Sequence, residues 1–316
     1  MVARVALSLL LLGTASRSFA AQSWITVDAT TGHILAQQDP LKKRQVGSLT
    51  KIATAMVVLD WAGKQGGDLA QVATVPPAAF TGMSENNLNL QPGDTLTLRD
   101  LLYAALVQSD NIAANTLADY VGRSLGSVSG PGANGESANS IDLFVRQMNA
   151  LAKQLGMDRT RFLNPSGVDN REKPYSTALD IARLTRYAMK SAGFRFYVSQ
   201  KEREIAIGRG EQRLRYLLRN TNQLLGTDSI DGVKTGSTAR AGECLVLSAA
   251  RPSEVVPQGT TTLVTPRRLI VVELASPDRF NEGAQLLATG WQLYDQWAAA
   301  GRPNDPRLTI SPPNER

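Results

Sequence analysis

Residues 45–52 read QVGSLTKI, with Ser48 standing three positions ahead of Lys51. Side chains at i and i+3 share one face of a helix, so in a helical segment the lysine amine reaches the serine hydroxyl. Ile52, Met56 and Leu59 continue at helical spacing and predict a buried helix of about three turns, with Ser48 at or near its N-terminus. A serine attacks only after a base takes its proton, and the usual base is histidine. The chain has one, His33, which falls in a predicted hairpin and is expected to be a solvated surface residue. A lysine that is dehydrated and close to other cations loses its proton more readily, and its neutral amine then serves as the base. The helix N-terminus meanwhile favours negative charge developing near Ser48. One S-x-x-K is expected by chance in a chain of 316 residues, so its meaning rests on its surroundings.

The length suffices for one large domain or two small ones, and 42% hydrophobic with 20% charged residues is ordinary for a globular protein. Residues 1–20, MVARVALSLLLLGTASRSFA, carry Arg4, an apolar run from Val5 to Leu12, and the small residues Ser18 and Ala20 where a signal peptidase requires them. We read a secretory signal peptide cut after Ala20, because the apolar run is far shorter than the ~20 residues of a spanning helix. Export would permit disulfides, yet Cys244 is the only cysteine and is expected to be a buried strand residue. One cysteine and one histidine make no zinc-ligand cluster, which excludes a metallopeptidase, and no metal or cofactor is called for. The net charge of +6 comes from scattered basic residues without interleaved aromatics, which fits an anionic cell envelope at least as well as nucleic acid.

Along the chain, SWITVDATTGHILAQQ (23–38) predicts a hairpin. QPGDTLTLRDLLYAALVQSDNIAANTLADYV (91–121) predicts a helix from about Thr97, a break at Ser109–Asn111, and a second helix to Val121. GRSLGSVSGPGANGESANS (122–140) is rich in Gly, Ser and Asn and marks a surface loop within a domain. Residues 141–156 and 177–190 are expected helices on either side of the loop NPSGVDNREKPYS, and three strands are expected from about 229. A polar loop with three prolines, 252–267, is expected between the last two strands. A final helix aligns Phe280, Ala284, Leu287, Trp291 and Tyr294. Strands at both ends with helices between them predict an α+β fold, one sheet built from both termini with a helical insertion.

Two further motifs give S-x-x-K its meaning. Ser109-Asp110-Asn111 falls in the break between two predicted helices, and Lys234-Thr235-Gly236 falls on a predicted strand. The three motifs in this order are the signature of penicillin-binding proteins and serine β-lactamases. SLTKIATAMVVL, GMSENNLNLQPGDTLTLRDLLYAALVQSDN, LGMDRTRFLNPSGV, YSTALDIARL, DGVKTGSTARAG and LLATGW extend the likeness over about Trp24 to Trp291. The chain thereby resembles the low-molecular-mass penicillin-binding proteins, the serine-type D-alanyl-D-alanine carboxypeptidases. The resemblance implies a β-lactamase/transpeptidase-like fold, an antiparallel sheet flanked by helices with a helical subdomain, as one catalytic domain over residues 21–300. It implies removal of the terminal D-alanine from peptidoglycan stem pentapeptides, with β-lactams as covalent inhibitors.

Carried over by residue, Ser48 is the expected nucleophile, Lys51 its base, and Ser109 the relay of a proton to the leaving D-alanine. Asn111 is expected to bond the substrate backbone, and Lys234 to sustain the positive field that keeps Lys51 neutral. Thr235 and Ser237 would offer hydroxyls to the substrate carboxylate, and the N–H groups of Ser48 and Ser237 would form an oxyanion hole. Gly236 would let a peptide approach the strand edge. Arg219, Thr221 and Arg240 are further candidates for the carboxylate. The alternatives are a D,D-endopeptidase using the same residues, a β-lactamase, and a non-catalytic penicillin-binding sensor. Glu85 to Asn89, ENNLN, matches the E-x-x-L-N of class A β-lactamases, but it precedes Ser109-Asp110-Asn111, whereas in that family it follows. About 25 residues follow Trp291, and residues 301–316 are expected to be a short polar tail in place of the C-terminal β domain and amphipathic anchor of many relatives. A soluble protein of the periplasm or cell envelope is the expectation.

Overall fold

Ser23–Asp28 (β1) and Ile34–Gln38 (β2) form the predicted hairpin. Its turn is closed by Asp28, whose Oδ2 accepts from the backbone N and the hydroxyl of Thr31 at 2.7 Å each. The computed structural model describes residues 19–310 apart from 67, 130–138 and 170–171, so most of the expected signal peptide lies outside the described residues. After the hairpin, Gly47–Thr50 makes a 3-10 turn that runs into α1, Lys51–Gln65. Val72–Thr74 (β3) and Thr95–Thr97 (β4) precede Leu98–Leu106 (α2) and Asn111–Ser129 (α3). Ser140–Gln154 (α4), Ala178–Ala188 (α5) and Ala192–Val198 (α6) complete the helical insertion. Glu202–Arg209 (β5), Gln212–Arg219 (β6), Ile230–Thr238 (β7), Gly242–Gln258 (β8), Thr261–Ser276 (β9) and Arg279–Ala299 (α7) follow.

The termini meet in a five-stranded sheet of order β2-β1-β9-β8-β7, every pair antiparallel. Its central strands are apolar on both faces because both faces are covered. Val246, Ile270, Val272 and Leu274 join the core of the helical insertion, whereas Leu245, Leu247, Leu269 and Val271 pack with Leu286, Leu287, Trp291 and Tyr294 of α7. That division follows the two-residue period of a strand. Cys244 is buried in β8, as expected. The starts of α2 and α5 are capped locally: Thr97 and Thr177 accept from Asp100 N and Asp180 N at 3.0 and 3.1 Å. Such a cap contributes about 1 kcal/mol.

Four expectations are corrected. A second sheet, β3-β4-β5-β6, stands beside the helices where the sequence reading placed no strands. Its main hairpin alternates only weakly, with Ile205, Ile207 and Leu218 buried among charged neighbours. The polar loop 252–267 is instead a projecting two-stranded arm, with Val255 opposite Val264 and Val256 opposite Leu263. A bulge between Arg251 and Glu254 accommodates Pro252, which cannot donate to a ladder. Helix α3 runs to Ser129, into the stretch read as loop, whose remainder to 138 lies outside the described residues. His33 is buried and stacked on Trp297 with ring centroids 4.4 Å apart, so burial lowers its pKa. The tail also folds back through residue 310, where Ile310 N donates to Gly32 O at 2.9 Å.

Candidate active site

Helix α1 begins at Lys51, so its first turn and the preceding 3-10 turn set Ser48 and Lys51 on one side. Lys51 Nζ lies 2.9 Å from Ser48 Oγ, 2.7 Å from Asn111 Oδ1 and 2.7 Å from Ser166 O. A neutral amine has two N–H donors and one lone pair. With both donors occupied by Asn111 and Ser166, the lone pair is left facing the Ser48 hydroxyl. Burial of the side chain brings the Lys51 pKa down to about 7, against the opposing pull of Asp110 and Glu85. Dehydration therefore leads the shift, rather than the positive field expected of Lys234.

The turn between α2 and α3 supplies Ser109, Asp110 and Asn111. Ser109 has φ 65°, a left-handed conformation that strains a residue with a side chain. The helix-capping role falls to its neighbour: Asp110 Oδ1 accepts from Ala113 N at 2.7 Å. Among the described residues no hydrogen bond links Ser109 to Lys51 or Lys234. Asn111 is brought in as expected, but its carbonyl oxygen serves Lys51, which leaves its amide N–H groups for a ligand.

β7 is an edge strand paired only with β8 among the described residues, and the face that it presents at Gly236 lies against the 3-10 turn at Ser48. A Cβ on Gly236 would stand 2.7 Å from Val46 O and 3.2 Å from Ser48 N, so only glycine fits between strand and turn. A Cβ on Gly47 would lie 3.2 Å from Ser237 N. The backbone at Ser48 and the backbone at Ser237 therefore lie against each other across the turn and the strand. Lys234 is buried, donates to Thr235 O at 3.1 Å, and has its pKa pushed well down by burial and then by repulsion from Lys51 and Arg279. Thr235 Oγ1 meets Thr221 Oγ1 at 2.7 Å, while Ser237 is exposed at the mouth.

Of the three extra carboxylate candidates, Thr221 reaches the site. Arg219 pairs with Glu202 at 3.3 Å and its side chain is 77% exposed, and the Arg240 backbone is held by Asp169 at 3.2 Å. Two contributors escaped the sequence reading. Arg279, at the start of α7, donates to Gly236 O at 3.0 Å and braces the motif strand from behind. The loop 164–168 supplies Ser166 O to Lys51, and Asn164 Oδ1 holds that loop through Gly167 N at 2.6 Å. The Asn-Pro-Ser-Gly run was a visible turn signal, whereas nothing local distinguishes Arg279 from other arginines.

A serine bonded to a buried lysine amine beside an edge strand is an arrangement suited to acyl transfer. The model of a peptidase family described as D-alanyl-D-alanine carboxypeptidase matches residues 12–256. The chain belongs to the D-alanyl-D-alanine carboxypeptidase family. It is 32% identical over 284 residues to the carboxypeptidase DacC of Escherichia coli, covering 87% of this chain and 62% of that protein. It is 32% identical to a D-alanyl-D-alanine endopeptidase of Pseudomonas aeruginosa, covering 73% of this chain and 67% of the relative. The crystal structure of the Streptomyces K15 DD-transpeptidase superposes with a TM-score of 0.72 at 28% identity, covering 87% of this chain and 98% of the other. This carboxypeptidase-family chain spans 62% and 56% of the lengths of DacC and of the Bacillus subtilis carboxypeptidase DacF. Fold and family thus agree with the α+β, transpeptidase-like expectation.

Proposed function

We propose that this chain is a serine-type D-alanyl-D-alanine carboxypeptidase that trims the terminal D-alanine from peptidoglycan stem pentapeptides through an acyl-enzyme on Ser48. The observation that carries the reading is the buried Lys51 amine, with a pKa near 7, set 2.9 Å from Ser48 Oγ. The peptide lies along the free edge of β7 as an added strand, with Asn111 N–H groups on its backbone. Ser48 Oγ forms a bond to the carbonyl carbon of the penultimate D-alanine as its proton passes to Lys51. The N–H groups of Ser48 and Ser237 hold the oxyanion. Collapse breaks the C–N bond, and the leaving amine takes a proton relayed through Ser109. Water then attacks the ester, returning its proton through Lys51 and freeing Ser48. Lys234, Thr235 and Ser237 hold the terminal carboxylate.

A β-lactam presents the same acyl group in a ring, so it acylates Ser48 and stays attached. The leader read in residues 1–20 supports a place in the cell envelope, and among the described residues no helix is long and apolar enough to cross a membrane. A second reading, D,D-endopeptidase, is favoured by the similarity to the Pseudomonas aeruginosa protein of that name.

Labelled penicillin is expected to attach to the protein and not to the Ser48→Ala variant; attachment that survives the substitution refutes the nucleophile. Mass spectrometry of muropeptides decides the substrate. Loss of one D-alanine from pentapeptides supports the carboxypeptidase, cleavage of cross-linked dimers the endopeptidase, and rapid penicillin turnover without a muropeptide product a β-lactamase.

A further inference from the structure

The ENNLN run left one residue without a role. Glu85 is exposed, and among the described residues no hydrogen bond or ion pair engages its carboxylate. It nevertheless stands close enough to Lys51 to pull on its charge. The segment that carries it is tied down on both sides of the site. Met83 Sδ lies 4.0 Å from the Ser166 hydroxyl, on the loop that binds Lys51. Asn87 O accepts from Tyr216 Oη at 3.3 Å, and Tyr216 Oη in turn accepts from Gln108 Nε2 at 3.0 Å, next to Ser109. Asn86 closes the same segment on Leu90 through two bonds of 2.8 and 2.9 Å. Glu85 is therefore an open carboxylate on a fixed bridge between the Lys51 side and the Ser109 side of the catalytic groove.

We infer that Glu85 binds the side-chain ammonium of the residue that precedes D-alanyl-D-alanine in the stem, making the enzyme selective for stems with a basic third residue. This deepens the proposed function and rests on it. The reach is consistent. With the penultimate D-alanine carbonyl at Ser48, the preceding Cα lies one ~3.8 Å step away, and a lysine-length side chain spans roughly 6 Å more. That lets an ammonium reach out along the groove bridged by the segment that carries Glu85. The charge is also right: stem peptides with a diamino acid offer a cation at this position, and a carboxylate there attracts it in both the carboxypeptidase and the endopeptidase readings.

The test compares Nα-acetyl-L-lysyl-D-alanyl-D-alanine, which keeps its ε-ammonium, with the Nα,Nε-diacetyl peptide, which has lost it. The ratio of their kcat/KM values is measured at pH 8.5 and low salt, where Lys51 is neutral in either case. An exposed ion pair predicts a preference of about fivefold for the charged peptide, shrinking in 0.5 M NaCl. Glu85→Gln is expected to bring the ratio to about one, and Glu85→Lys to invert it. Equal rates for the two peptides on the unmodified enzyme, or a preference that survives Glu85→Lys, overturns the assignment while leaving the Ser48 reaction intact. Absence of hydrolysis of either peptide, with dimer cleavage also absent, would instead overturn the proposed function itself, and the assignment with it. Penicillin labelling of each variant confirms that it is folded.

Discussion

Lys51 has three neighbours and, as a neutral amine, three ways to use them. Donation to Asn111 and Ser166 orients the lone pair at Ser48, so the same contacts that bury the amine also aim it. With its pKa near 7, the base form grows as pH rises, and the acylation rate is expected to climb through about pH 7 and level above it. A stopped-flow pH profile with a fluorescent penicillin measures that limb. Removing the Glu85 charge takes away one of the terms that hold the Lys51 proton, so Glu85→Gln is expected to move the limb to lower pH. The move is small, since Glu85 is exposed and screened. Lys51→Ala should slow acylation by about 10²–10⁴-fold, the usual worth of a positioned base.

At the scale of elements, the site is a junction of four pieces: the 3-10 turn before α1, the turn between α2 and α3, the edge of β7, and the 164–168 loop. The last is locked against the first by Gly167, which has φ 82° and whose added Cβ would fall 2.0 Å from Gly47 O. Gly156, with φ 68° and open space around it, isolates the backbone term alone. Gly156→Ala is expected to cost about 1 kcal/mol from its left-handed conformation. Gly167→Ala is expected to cost at least ~2 kcal/mol in urea unfolding and to slow penicillin acylation, because the loop carrying Ser166 O must move. Equal effects of the two substitutions on acylation would refute the locking role. Arg279 works from the opposite side: α7 is an α-helix packed on the sheet, and its first residue steadies the Gly236 carbonyl.

For the molecule as a whole, the five-stranded sheet is sealed by helices on both faces, and this seals in an acid. Glu273 of β9 is fully buried, and among the described residues neither of its carboxylate oxygens has a hydrogen-bond partner. Burial first, then Glu282 and Asp278 of the α7 start, raise its pKa from 4.5 to about 8. A carboxyl whose folded pKa exceeds its unfolded one favours folding in its protonated form. The resulting stability is complete below about pH 4.5 and is lost as pH rises through 8, at up to ~1.4 kcal/mol per unit. Glu273→Gln should flatten this slope in thermal melts between pH 5 and 9 and raise the melting temperature at the alkaline end; an unchanged slope would refute it.

Sequence by itself determined the family, the candidate site and the outline of the fold. Ser48, Lys51, Asn111, Lys234, Thr235 and Gly236 were legible because each lies in a short motif whose spacing is set by one local element. The hairpin, the sheet from both termini and the α7 stripe were legible because strong periodicity follows from two-sided or one-sided burial. The second sheet was not, because Glu202–Arg219 carries few apolar residues: β5 and β6 pair with each other along their length, and they join β4 only through Thr95 opposite Gly208. The arm at 252–267 was hidden by prolines that the ladder tolerates at a bulge. Tertiary structure alone decided that His33 is buried, that Thr221 rather than Arg219 reaches the site, and that Ser166 O and Arg279 support it. The contacts of His33, Ser166 and Arg279 join residues more than 40 positions apart, and Thr221 meets Thr235 across a turn between two strands, so no local spacing records them.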